Sequence, residues 1–111
     1  MSATVKYPFG PADSKVLSAA GAQALTIVDS LTMIDGVTTI STAARTLNLT
    51  LDADLAVGAK LVIRSKSTGT EDNIFGTGIT GTTYAGVAGK IITRTATFDG
   101  VEFKVDNEQI D

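Results

Sequence analysis

Alternation of apolar and polar residues dominates the middle of the chain. From Arg45 to Leu51, leucines occupy every second position from Leu47 onward, with polar residues between them. The same period returns from Ala59 to Arg64, where Ala59, Leu61 and Ile63 share one side. Successive side chains of a β-strand point to opposite faces, so this period predicts two half-buried strands.

Shorter apolar segments, separated by turn residues, surround this central pair. Leu25–Val28 and Leu31–Ile34 are strand-like and flank Asp29-Ser30. Lys15–Ser18 is interpreted as a first strand. Asp35-Gly36 directly follows Ile34 and precedes a further apolar segment, Val37–Ile40. Because Asp-Gly favours positive φ, a hairpin turn is expected there.

The most distinct hairpin signal lies near the end of the chain. Ile91–Phe98 and Val101–Val105 flank Asp99-Gly100, a pair typical of two-residue hairpin loops. In that register Phe98 lies opposite Val101, and Ala96 lies opposite Phe103. Both phenylalanines then face the core together with Val101. Arg94 falls on the same face and is expected at the rim of the sheet.

The strand pattern predicts an all-β fold. About eight short strands, with turns every eight to twelve residues or so, favour an antiparallel, jelly-roll-like β-sandwich or barrel. No helix-period segment is long enough to supply a crossover between parallel strands, and no internal repeat is evident. The expected organisation is an extended arm over residues 1–14, a β-domain over 15–106 and a charged tail over 107–111.

The N-terminal arm contains the sequence Tyr7-Pro8-Phe9-Gly10-Pro11. Proline fixes φ and lacks a backbone donor, so this stretch cannot sit inside a sheet. One interpretation is an anchoring peptide in which Tyr7, Pro8 and Phe9 contact a partner and the two rings fill pockets. The other is a terminus that is disordered or packed on the surface.

Composition excludes several classes of function. The chain has 111 residues, enough for one domain, and a net charge of −3 with its nine cations scattered, so no nucleic-acid partner is expected. Cysteine and histidine are absent, which removes disulfides, thiolate metal sites and the usual general base. No export signal and no membrane span are evident. The expectation is a protein without catalytic residues, cofactor or metal.

Three weak motifs favour structural explanations. Gly76, Gly78 and Gly81 match a dinucleotide-binding spacing, but no helix-forming segment follows. Asp52 and Asp54, with Asp72 elsewhere, offer oxygen ligands to a hard cation, yet paired acids in a turn are more often turn formers. The sequon that begins at Asn48 matters only in an exported protein.

The second half of the chain resembles small β-domains of tailed-phage virion proteins, of the fibre, head-fibre and capsid-decoration types. The resemblance rests on Gly58–Ile63, Ile74–Thr80, Gly86–Lys90 and Phe98–Phe103. It implies a virion structural protein, made in the host cytoplasm and placed on the virion surface. It also implies a homotrimer attached to a capsid or other virion protein by the arm.

Assembly into a trimer requires apolar residues that face away from their own core. Val62, Ile34 and Ile79 are candidates. Two alternatives remain open at this point. One is a receptor- or glycan-binding fibre tip that uses glycine-rich loops near Phe75 and Tyr84 to bind a host surface glycan. The other, from a different class, is a small β-fold enzyme or carbohydrate-binding module.

Overall fold

The computed structural model of the chain describes residues 12–69, 72–81 and 84–110. Regular structure in these ranges is entirely β-strand, which confirms the all-β prediction. None of the described residues forms a helix that could cross a membrane. Ten strands are found there: β1 (Ala12–Val16), β2 (Gly21–Ile27), β3 (Leu31–Ser41), β4 (Arg45–Leu51), β5 (Lys60–Ser67), β6 (Asp72–Phe75), β7 (Ile79–Thr80), β8 (Tyr84–Ala85), β9 (Ile91–Phe98) and β10 (Phe103–Ile110).

The first six strands wind as a coil between two sheets. Strands β1, β3 and β5 are neighbours in a six-stranded sheet of order β1-β3-β5-β9-β10-β7. Strands β2, β4 and β6 are neighbours in a four-stranded sheet of order β2-β4-β6-β8. Each coil of the chain therefore contains one strand from each sheet, and each new coil stacks beside the previous one.

Strand direction is where the sequence-based prediction is wrong. The pairs β1–β3, β3–β5, β2–β4, β4–β6 and β7–β10 are parallel. Only β5–β9, β9–β10 and β6–β8 are antiparallel among the described strands. The jelly-roll-like antiparallel arrangement is thus incorrect. Parallel neighbours need a crossover, and here a strand of the opposite sheet supplies it in place of a helix.

The coils differ in length, which explains why no repeat is visible in the sequence. Leu31 lies beside Ala12 and follows it by 19 residues, whereas Lys60 lies beside Leu31 and follows it by 29. For the same reason β4 and β5, although both form as predicted, belong to different sheets. The connection between them passes from one sheet to the other at one end of the strands and is not a hairpin.

Asp35-Gly36 does not turn the chain, contrary to prediction. Strand β3 continues through both residues to Ser41. A Cβ at Gly36 would lie 2.8 Å from Arg45 Nη2 and 2.9 Å from the carbonyl oxygen of Arg64. Glycine is therefore required at this position for close approach of its neighbours, not for a turn.

The core lies between the two sheets and is built from alternate positions of their strands. The predicted faces of the central strands are confirmed, because Leu47, Leu49, Leu61 and Ile63 are all buried. The full buried apolar cluster comprises Leu17, Ile27, Ile34, Leu47, Leu49, Leu55, Ala59, Leu61, Ile63, Ile79, Ala96, Phe98 and Phe103.

The β9–β10 hairpin forms as predicted, but its register differs. Phe98 pairs with Phe103, and Val101 projects into solvent with 81% of its surface exposed. The loop has four residues because Asp99 Oδ1 accepts hydrogen bonds from the backbone N–H groups of Val101 (2.9 Å) and Glu102 (3.0 Å). Gly100 has φ 105°, so the expected positive φ is present.

Both ends of the β-domain differ from the predicted boundaries. Strand β1 begins at Ala12, inside the segment predicted as an arm, and residues 1–11 lie outside the described ranges. Strand β10 continues to Ile110, so residues 107–110 belong to the sheet and not to a tail.

Candidate functional site

Arg45 is only 2% exposed, and its side chain makes hydrogen bonds to several elements of the described structure. It enters the space between the sheets at the start of β4. Nη1 donates to the carbonyl oxygens of Ser18 and Thr39, both at 3.0 Å. Nη2 donates to Gly36 O at 3.0 Å and to Ser65 Oγ at 2.7 Å. One guanidinium therefore ties turns and strands of successive coils together.

This polar centre does not form a ligand site. Ser65 Oγ also donates to Asn73 Oδ1 at 3.0 Å, so the hydroxyl continues the same network. The cavity beside Arg45 has a volume of about 10 Å³, room for a single water molecule. Arg45 is thus a structural element that the alternating pattern alone did not reveal.

Arg94 forms a second buried charge, where the sequence predicted an exposed rim position. It is 6% exposed and pairs with the Glu108 carboxylate. Its guanidinium carbon lies 5.5 Å from the centre of the Phe75 ring, within cation–π range. Phe75, a predicted tip residue, is therefore half-buried beneath Arg94 and packs against the core.

The outer face of the six-stranded sheet carries a row of cations. Lys60, Arg64 and Lys66 occupy alternate outward positions of β5, and together they are named the cationic face. Lys60 Nζ donates to Thr97 Oγ1 at 2.7 Å, and that hydroxyl donates to Asp106 Oδ2 at 2.6 Å. Arg64 has no hydrogen-bond partner among the described residues, so its guanidinium is available to a partner.

Apolar side chains lie beside these cations, on β1, β3 and β5. Met33 pairs with Val62 across the β3–β5 ladder, and Leu31 is two residues earlier on the same face. Val16 lies next to Asp35, and is 58% exposed, while Met33 is 39% exposed. These four residues, Val16, Leu31, Met33 and Val62, form the apolar patch. Contiguous exposed apolar surface is typical of protein contacts.

A groove of about 290 Å³ borders the patch where β3 bulges away from β5. Its lining includes Met33, Val37 and Arg64 together with Asp35. The Thr38 hydroxyl holds the pKa of Asp35 below its ordinary value of 3.8, assisted by the backbone N–H groups of Val37 and Thr38 and, less strongly, by Arg64. The Asp35 carboxylate accepts hydrogen bonds from Val37 N and Thr38 N and so stabilises the backbone at the start of the bulge.

Replacing Asp35 with asparagine is expected to reduce the acid sensitivity of the fold. A carboxyl whose folded-state pKa is depressed contributes stability above about pH 3.8 and loses it as pH falls through the folded pKa. Urea midpoints at pH 7 and pH 3 should therefore differ less in Asp35→Asn than in the natural chain. Asp54→Asn is the control, because its carboxylate accepts no hydrogen bond from the described residues. An equal pH effect in both variants would contradict this role of Asp35.

Three loops meet at one end of the coil. Asp52 N donates to Ile27 O at 3.0 Å, Lys60 N to Ser30 O at 2.9 Å and Gly58 N to Phe98 O at 2.9 Å. The loops 28–30, 52–59 and 99–102 are thereby adjacent, and together they are named the acidic loop end. They carry five acids and three exposed valines: Asp29, Asp52, Asp54, Asp99, Glu102, Val28, Val57 and Val101.

The predicted interface residues have different positions in the structure. Val62 lies on the outer face of β5, as its alternation predicts. Ile34 and Ile79 are buried in the core, so the prediction that they face away from it is wrong. Tyr84 lies in β8, but its side chain is outside what is described, as are Tyr7, Pro8 and Phe9.

The weak motifs have structural explanations in this fold. Asp52 Oδ2 accepts from Asp54 N at 3.1 Å and stabilises its own turn. The described residues contain no group of three or more acids suited to hold a metal. A Cβ at Gly78 would meet Leu49 O at 2.7 Å, so glycine is needed for packing. Asn48 Oδ1 accepts from Thr77 N at 3.0 Å and holds the turn before β7.

The geometry therefore presents surfaces for assembly: a cationic face, an apolar patch beside it and an acidic loop end. Comparison of the chain with protein-family models, with curated proteins and with solved structures gave no match.

Proposed function

We propose that this chain is a non-enzymatic structural protein of a phage virion, a head fibre or capsid decoration protein on the virion surface. In this proposal it forms a homotrimer, and residues 1–11 attach it to a capsid or other virion protein. The two sheets act as one sandwich-like module displayed outward. The resemblance of the second half of the chain to virion β-domains supports this assignment.

The apolar patch is the observation that carries the proposal. It lies on β1, β3 and β5, so it reaches the edge of the sheet at which the chain enters the β-domain. Val16 and Met33 are exposed there, outside the apolar cluster that is buried between the sheets. A small domain with a modest core gains stability when it buries such a surface against copies of itself.

Removing residues 1–11 tests attachment separately from assembly. The full chain is expected to sediment with capsids of the parent phage and to have three times the chain mass of 11.4 kDa by light scattering. The truncated chain should remain trimeric, at three times its own smaller mass, and keep its melting temperature, because β1 begins at Ala12. It should lose capsid binding.

A matched control replaces Tyr7 and Phe9 with serine in the full-length chain. The same loss of capsid binding would identify the two rings as the anchoring groups. Truncated protein that still binds capsids would overturn the role of the arm. A full-length protein of monomer mass would overturn the trimer.

A further inference from the structure

Two surfaces of this protein carry opposite charge, and they adjoin where Lys60 N donates to Ser30 O at 2.9 Å. Lys60, Arg64 and Lys66 project from one side of β5. Asp35 and Asp106 are the acids on that side of the sheet, and each already has a hydroxyl partner. The acidic loop end carries five acids, and its Asp99 lies 3.7 Å from Lys104 Nζ. Asp29 and Asp54 have no ion-pair partner among the described residues.

We propose that copies of this chain associate head to side, with the acidic loop end of one copy docked on the cationic face and apolar patch of the next. This inference rests on the proposed self-assembly and names the surfaces that perform it. Arg64 and Lys66 of one copy then face Asp29 and Asp54 of the following copy. Opposite charges of this kind select the partner surface and its orientation more than they raise affinity.

The same docking brings apolar side chains together. Val57 is 73% exposed and Val101 81% exposed at the acidic loop end, which makes them the most exposed large apolar residues described. The two loops touch, since a Cβ at Gly100 would lie 3.4 Å from Val57 Cγ2. Met33, which is 39% exposed, and the half-buried Val62 offer the apolar surface of the receiving face. Their burial supplies the attraction that exposed ion pairs lack.

A second copy is favoured over an unrelated partner because the complement is present in the chain itself. The cationic face needs an acidic surface with apolar tips, and the acidic loop end has both properties. The two surfaces are different, so the contact is heterologous, and such contacts close into rings when the rotation between copies permits. In a closed ring of three, the acidic loop end and the cationic face of every copy are both in contact with a neighbour.

Charge reversal on each surface tests this assembly. Arg64→Glu with Lys66→Glu reverses the two cations of the proposed contact, and Asp29→Lys with Asp54→Lys reverses the two acids that face them. Either pair should weaken self-association roughly tenfold or more and yield monomers by light scattering at concentrations where the natural chain is assembled. A chain with all four changes, or a mixture of the two variants, should regain a mass above that of the monomer.

The control introduces two acidic residues on a surface outside the proposed contact. Thr26 and Thr50 pair on the exposed outer face of the four-stranded sheet, so Thr26→Glu with Thr50→Glu should leave the mass unchanged. The inference would be overturned if this control dissociated, or if both reversed variants kept the mass of the natural chain. Neither result would contradict the proposal that the natural chain is a trimer. Natural chain that is monomeric would overturn both.

Circular dichroism and melting temperature establish that each variant is folded. Should a reversed variant unfold, a salt titration of the natural chain replaces it. Added salt screens charges between copies, so the head-to-side contact is expected to weaken, and the monomer fraction to grow, as ionic strength rises. An assembly whose mass is independent of salt would contradict it.

Discussion

Replacing Phe103 with alanine is expected to lower the free energy of unfolding by about 3–5 kcal/mol. The side chain has no exposed surface, and its ring centre lies 5.4 Å from that of Phe98. It stands at the start of β10, between β9 and β7, where its backbone N–H donates to Gly78 O at 2.9 Å. Truncation would open a cavity where the hairpin, β7 and the core meet.

Urea denaturation measures the Phe103 effect, and Val101→Ala is its control. Val101 is an apolar residue two positions away, yet it projects from the loop, so its truncation should change the unfolding free energy of the unassembled chain by no more than about 0.5 kcal/mol. Comparable losses at the two positions would contradict the four-residue loop and favour the two-residue loop that the sequence predicted.

Replacing Arg45 with methionine is expected to cost about 3–5 kcal/mol. Methionine fills much of the volume but leaves the carbonyl oxygens of Ser18, Thr39 and Gly36 without their donor. A buried acceptor without a partner costs about 1–3 kcal/mol. Because these acceptors lie on separate coils, the variant should also loosen the stacking of β1, β3 and β5.

The matched control for Arg45 is Arg64→Met, on the outer face of the six-stranded sheet. Arg64 is exposed, so this change should be nearly neutral for the unfolding free energy of the isolated chain. Hydrogen exchange of the β3 and β5 amides provides a second measurement, which should show faster exchange only in Arg45→Met. A loss below about 1 kcal/mol in Arg45→Met would show that water replaces the guanidinium.

The alternating pattern predicted which side of each strand is buried, because that property depends on the sequence nearby. Leu47, Leu49, Leu61 and Ile63 face the core as expected, and Val62 faces outward. Gly100 adopts the positive φ expected of an Asp-Gly turn. Each of these features is decided within a few residues, where side-chain direction and backbone sterics act directly.

Strand direction could not be predicted in the same way. An apolar-polar period is identical for parallel and antiparallel strands, and the lack of a helical crossover favoured antiparallel pairing. In the structure β4 is the crossover between β3 and β5. That a strand can connect two parallel neighbours becomes visible only once the coils have stacked. The coils differ in length, so the sequence contains no repeat that would indicate them.

The candidate surfaces, too, were only partly predictable from the local sequence. Val62 was predicted to face outward, whereas the cationic face and the acidic loop end arise from residues far apart in the chain. Arg94 and Arg45 show the limit most clearly, because both occupy buried positions that charged residues rarely fill. Their burial depends on acceptors brought from other strands, such as Glu108 and Ser65.

The sequence by itself determined that this protein is built from strands, where most of them lie and which side chains of the central strands β4 and β5 enter the core, since local periodicity sets these properties. Tertiary structure decided the parallel coil, the four-residue loop of the last hairpin and the buried arginines. Each of these depends on partners that are distant in the chain, and the free energy of those contacts exists only once the two sheets have stacked.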